Sequence, residues 1–442
     1  MADIHPFRAF RYANATDKDS PQVSLAQVVT QPYDKISPTL QDRYYAASPY
    51  NLVRIILGRR EDNDNPANNV YSRAAAYFRD WRRQGVLRQD TLPSIYVYSQ
   101  RFISPDSNIE TERRGFIALG RIEDYPAGVV FRHEQTLAKP KADRLDLLRA
   151  TKGHFGQIFM LYEDSGQIEA LLNVSAEPDV AVIDEYGVLH RLWEVAEPGV
   201  IASVRAAMSD KKLVIADGHH RYETALAYRN ERRSASGGTD QPNSAPSEFV
   251  MMTFVNMNSP ALLILPTHRV VHSLPTFSED AFRNSARGFF DIDEIDVPLD
   301  AARASAILRQ CGRAGTCILA VTSNRAFLLH HPNPNAAARV FASISIRQQS
   351  LDVVQLHKVL LENVLELTEE SIRNQQNISY VRDAAEALSH LEAAPKANIV
   401  FLMNPCRITQ VRDIAFANEV MPQKSTDFYP KLLSGLTVYA LE

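Results

Sequence analysis

Residues 213–232, LVIADGHHRYETALAYRNER, set Asp217, Gly218, His219, His220 and Arg221 side by side between two apolar-patterned flanks. A strand, a glycine turn and a helix start make an anion site, because the first helical amides lack intrahelical acceptors and the positive end of the helix dipole faces the same spot. Gly218 lets the backbone approach a ligand, His219 and His220 add donors, and Arg221 supplies a guanidinium fork that matches phosphate. Asp217 is the odd member. A carboxylate beside phosphate has a use if it holds a metal, orients a histidine such as His220, or accepts a proton. Three other readings compete: a structural turn capped by Asp217, a transition-metal site made by Asp217, His219 and His220, and a metal-dependent phosphoesterase. Adjacent histidines at a turn seldom aim at one metal, and a phosphoesterase needs more Asp/His clusters than this chain has. Phosphate binding explains the most residues.

Other segments share this character. The chain has 11 lysines against 37 arginines, and three of the lysines fall within residues 131–154. There His133, Glu134, Lys141 and Arg144 follow an apolar GVVF stretch. Lysine is a flexible point charge for phosphate, and a carboxylate at a strand end, here Glu134, can be held rigidly as a general base. A solvated helix face and a surface salt bridge are the bland alternatives. Near the C-terminus, Lys424, Ser425 and Thr426 lie between prolines and aromatics in a stretch without regular periodicity, which suits either a functional loop or a docking strap. The early QPYDKISP and SPYNLVRIILG raise the same choice for Tyr33, Asp34, Asn51 and Arg54; a structural role is favoured for Tyr33 and both stay open for Arg54.

The elements that must position these groups follow from periodicity. Leu213 to Ala216 predicts a buried strand, and Tyr222, Ala225, Leu226 and Arg229 recur at helical spacing. Residues 70–84 predict an amphipathic helix stopped by Gly85; residues 92–125 and 179–195 predict two hairpins, the second turning at Tyr186-Gly187; residues 233–248 predict an exposed loop. Strand-like and helix-like stretches alternate throughout, so the fold class is α/β or mixed α+β. At 442 residues several domains are expected, divided as 1–130, 131–275 and 276–442.

A net charge of -4 gives no case for a dedicated nucleic-acid binder or a polybasic membrane surface. Three cysteines, Cys311, Cys317 and Cys406, are too few and too badly spaced for a zinc knuckle or disulfide scaffold. With no signal-peptide core at the start and no apolar run of spanning length, a soluble cytoplasmic protein is expected. Neither GxxxxGK[ST], GxGxxG after a strand, an HRD/DFG pair nor GxSxG occurs, which argues against P-loop, kinase-fold and hydrolase-elbow chemistry.

Six segments in order, PYDKIS, SPYNLVRIILG, HEQTLAKPKADRLDLLRAT, ADGHHRYETAL, LPTHRVV and MPQKSTDFYPK, resemble a bacterial and archaeal family of unknown function, the domain-of-unknown-function family ten-fifteen, over nearly the whole chain. Its DGHHR turn is in turn similar to the phosphate-binding turn of the ParB and sulfiredoxin superfamily, whose members bind ATP or CTP and include free serine kinases. The resemblance implies a ParB/sulfiredoxin-like nucleotide-binding core with additional α/β N- and C-terminal regions, in which Asp217 to Arg221 grip nucleotide phosphates with Mg²⁺ bridging them and Asp217 as its ligand. It implies Glu134 as base toward a serine hydroxyl. The expected function is therefore nucleotide-dependent phosphorylation of a small hydroxyl substrate, free L-serine being the favoured example, with a nucleotide-binding switch or slow NTPase as the alternative. Expected cofactors are ATP or ADP, with CTP as a variant, and Mg²⁺. Catalytic roles fall to Glu134, Asp217 and His220; phosphate contacts to Gly218, His219, His220, Arg221, Lys141, Arg144, Lys424, Ser425 and Thr426; substrate contacts to His133 and Arg54. A homodimer is allowed, and neither nucleic acid nor membrane is expected as a partner.

Overall fold

The structure is a computed structural model that describes residues 2–13, 23–105, 107–135, 138–235, 245–393 and 396–442. Of the loop expected at 233–248, residues 236–244 lie outside the described residues, and the flanking residues end a helix and begin a short 3-10 turn at Pro246–Glu248. Where three consecutive regions are expected, the chain forms two compact units, neither of them continuous: residues 1–132, 136–263 and 430–442 in one, and 133–135 with 264–429 in the other.

The first unit is built on a nine-stranded mixed sheet. Its order runs Val130–Phe131, Leu213–Asp217, Ile158–Tyr162, Phe249–Asn256, Glu110–Arg121, Ile95–Ile103, Leu189–Val195 and Val180–Ile183, with Ile4–His5 also pairing Glu110–Arg121. Both expected hairpins are present, and the turn of the second carries Gly187 at φ +77°. Phe249–Asn256, largely apolar, is buried at every position, as a central strand covered on both faces requires. Ile158, Met160, Ile215, Met252 and Phe254 pack in one core cluster, each contributing on the order of 1.5–3 kcal/mol. The amphipathic helix arrives as Val70–Arg83, with Asn69 capping its N-terminus and Ala74, Phe78 and Trp81 buried.

The second unit holds a six-stranded antiparallel sheet in the order Asp291–Ile295, Ala326–His330, Cys317–Val321, Ala397–Met403, His268–His272 and Ile378–Val381. Helices Ala301–Cys311 and Ala384–Ser389 cover it through Ala304, Leu308 and Ala387. The architecture of both units is mixed α/β. Among the described residues, no helix is long and apolar enough to cross a membrane.

Candidate functional site

The strand Leu213–Asp217 is buried through Ala216 and pairs parallel with Val130–Phe131 and antiparallel with Ile158–Tyr162. Ile215 stands opposite Met160 and Asp217 opposite Phe159, so Ala216 is an extra residue in the strand. Such a bulge bends the chain and re-aims the side chain that follows, here Asp217. Gly218 then turns the chain at φ +94°, a conformation that costs L residues heavily, and the helix His219–Ala235 starts at once. That helix is fixed from below. Tyr222 is fully buried, its hydroxyl donating to Glu123 O at 2.7 Å and accepting the Glu123 amide at 2.9 Å, while Arg229 donates to Asp124 Oδ2 at 2.8 Å.

Asp217 gathers cations. Its Oδ2 lies 3.4 Å from Arg221 Nη2 and 3.8 Å from Lys431 Nζ, and its Oδ1 accepts the Gly218 amide at 3.0 Å. Burial alone would push the carboxyl up; Lys431, Arg221, Lys35 and His219 outweigh it and hold the group far below the usual carboxylate range. The expectation that the Gly218 amide faces a ligand is thereby modified, since Asp217 itself takes that donor. Arg221 folds back over the glycine: a Cβ at 218 would sit 3.0 Å from its Cζ. The same guanidinium donates to Gln157 O.

Arg221 also lines a cavity whose other walls include Tyr33, Arg144, Leu148, Phe155 and Ser434. Arg144 stacks over Tyr33 at 4.3 Å and donates through Nη1 to Ile56 O at 2.5 Å. Burial and Asp34 push the Tyr33 hydroxyl up to about 12 against the pull of Arg144 and Arg221, so it stays a neutral donor. His154, also on this wall, is pushed down to about 4 by burial and is neutral at physiological pH. The structure thus brings Arg144 together with Arg221.

It places other expected residues elsewhere. Arg54 donates to Tyr45 O at 2.9 Å, stacks on the Tyr45 ring at 4.5 Å and lines a different cavity with Arg59 and Arg73, because its short helix Val53–Ile56 turns it that way. Lys141 lies 3.4 Å from Glu223 on the turn helix. In the second unit His133 is fully buried and its Nε2 shares a hydrogen bond with Thr426 Oγ1 at 2.8 Å. Glu134 Oε1 accepts the Lys424 amide at 2.7 Å, and Lys424 holds φ +58°, a strained value for a side chain-bearing residue. Ser425 donates to Pro422 O at 2.5 Å. His133 and Thr426, and Glu134 and Lys424, are thus joined by hydrogen bonds within that unit, while Ser425 bonds Pro422.

Three residues of the first unit, Tyr33, Lys35 and Lys431, are not singled out for a site role by their sequence context. The scarcity of lysine was the usable signal for Lys431. It is positioned by backbone contacts: Arg113 donates to Pro430 O at 2.5 Å and Gln100 to Lys431 O at 2.7 Å.

No curated protein matches the chain. Solved structures do. A conserved hypothetical protein from Pyrococcus furiosus is 11% identical, with 71% of this chain and 92% of that one covered and a TM-score of 0.35. A free serine kinase in complex with AMP is 12% identical, with 68% and 83% covered and a TM-score of 0.34. SbnI with a C-terminal truncation, from Staphylococcus aureus, is 9% identical, with 73% and 86% covered and a TM-score of 0.36. The family model described as "Protein of unknown function (DUF1015)" matches residues 4–354, and the chain belongs to that family.

Proposed function

We propose that the turn from Asp217 to Arg221 grips nucleotide phosphates and that the protein is a nucleotide-dependent phosphotransferase acting on a small hydroxyl substrate, with free L-serine as the first acceptor to try. One observation carries the reading: Arg221 belongs both to the phosphate-type turn and to the wall of a cavity whose remaining lining is largely apolar. A nucleotide needs that pairing, a cationic grip for its phosphates beside an apolar slot for its base. Arg144 and the neutral Tyr33 hydroxyl offer polar contacts within the slot.

Phosphoryl transfer asks a protein mainly for positioning and charge neutralisation. Arg221, Lys431, Lys35 and the helix N-terminus supply positive potential around the turn, and His219 and His220 add donors. The donor set fits a Mg²⁺ that travels with the nucleotide: Asp217 is the turn's carboxylate, part-exposed, and one carboxylate suffices when phosphates provide other ligands. Bound there, the ion would neutralise phosphate charge.

A base role for Glu134 is a separate part of the proposal: the Lys424 amide donates to its carboxylate and orients it, as a general base that takes a hydroxyl proton requires. Glu134→Gln is expected to retain ADP affinity while phosphoserine formation from ATP or ADP falls by roughly 10²- to 10⁴-fold. Quantitative detection of phosphoserine decides it, and unchanged turnover removes Glu134 from the chemistry. Slow hydrolysis that ignores serine would favour a nucleotide-driven switch.

A further inference from the structure

We propose that the second unit carries its own site for a phosphorylated small molecule, in a cavity of about 710 Å³ walled by Arg269, Arg309, Arg313, Arg407, Asp352 and Ser425. The cavity is made wholly from residues of that unit, so it stands independently of the nucleotide reading above.

Four guanidinium groups share this wall with one carboxyl. Arg269 is only 1% exposed. Its Nη groups donate to Thr267 O, to Lys424 O at 3.1 Å and to Met403 Sδ at 3.6 Å, and Nε finds no acceptor among the described residues. Its hydrogen-bond acceptors are all neutral and the Glu134 carboxylate acts on it only through space, so the buried guanidinium has no direct anionic partner among the described residues, an arrangement proteins keep at a cost. Tyr380, 5.3 Å from its Cζ, softens that charge without cancelling it.

Arg309 lies in the last turn of the helix Ala301–Cys311 and Arg313 just beyond its end, both exposed and with no ion-pair partner among the described residues. Both therefore add positive charge to the same wall. Arg407 sits at the N-terminus of the nine-residue helix Ile408–Phe416, whose first turn adds positive potential to the same wall through Gln410. Asp352 is the lone opposing group; burial pushes its carboxyl up to about 6, so its negative charge is weakly held. Forked donors approaching from several directions match the three oxygens of a phosphate monoester better than a single planar carboxylate. The volume accommodates a metabolite rather than a bare ion.

The test is calorimetric titration of inorganic pyrophosphate, and separately of citrate, into the full-length protein carrying His220→Ala, so that the turn of the first unit is weakened as a competing phosphate site. Arg309→Ala/Arg313→Ala is then added in that background; both side chains are exposed, so melting temperature should be unchanged. Saturable pyrophosphate binding that weakens at least about tenfold in the double arginine variant, with citrate weaker than pyrophosphate, is the expected result. Absence of pyrophosphate binding, or equal affinity with and without the two arginines, overturns the site; citrate binding as tightly as pyrophosphate overturns the phosphate assignment.

Discussion

Asp217 is held as an anion by a ring of cations, which ties the stability of the turn to its charge. Its folded-state pKa lies below the unfolded value of about 3.9, so the stabilisation it gives is fully present above that pH and is lost as pH falls through the folded value. Asp217→Asn is therefore expected to destabilise the protein near pH 6, where Arg221, Lys431 and Lys35 lose their counter-charge, and to cost less near pH 3. Urea unfolding at the two pH values checks this; a penalty independent of pH would mean the cations do not set the carboxyl. Of the residues involved, Asp217, Gly218 and Arg221 were legible because their types crowd one turn. Lys35 and Lys431 were not, since each lies about 180 or more positions away and reaches Asp217 only through the fold.

A strand that ends in a bulge, a left-handed glycine and an anchored helix define the grip, and the cavity beside it depends on a second glycine. A Cβ at Gly156 would meet Ser434 Oγ at 3.4 Å and Arg221 Nη1 at 3.5 Å, ordinary contact distances at a backbone conformation open to any residue. Gly156→Leu should leave the element order intact while its side chain fills the slot, so ADP affinity is expected to drop at least about tenfold with little change in melting temperature. Retained affinity would put the base elsewhere. The strand, the turn helix and both hairpins could be read from their periods, because each buries one side against the same core. The bulge at Ala216 could not, since a single extra residue leaves the apolar run unbroken. Nor could the position of Tyr33, which sits in a proline-rich opening whose sequence has no repeat to interpret.

The chain closes on itself: residues 430–442 return to the first unit after the second has been completed. Leu432, Leu433, Leu436 and Val438 are all buried, Val438 exchanges backbone hydrogen bonds with Phe10 at 2.9 Å, and Tyr439–Ala440 pairs with Gly153–His154. Burial of four such side chains stabilises by roughly 6 kcal/mol or more, comparable with the whole stability of many domains. Truncation after Tyr429 is thus expected to prevent accumulation of folded protein, which circular dichroism and a soluble-expression assay would reveal; a stable truncated chain would contradict the closure. This return, like the placement of 133–135 in the second unit, is invisible to a linear reading because it rests on pairings between segments hundreds of residues apart. The α/β class was accessible for the opposite reason: it depends only on which local patterns alternate.

Binding of Mg-ADP to the wild-type chain and to Gly218→Ala, followed by isothermal titration, probes the phosphate grip most directly. A methyl group at 218 strains the left-handed turn and displaces the Arg221 guanidinium from the place a phosphate would meet it. Saturable binding to the wild type, weakened at least about tenfold in the variant while the variant remains folded, is the predicted result. Equal affinity of the two proteins, or no binding to the wild type, would contradict it.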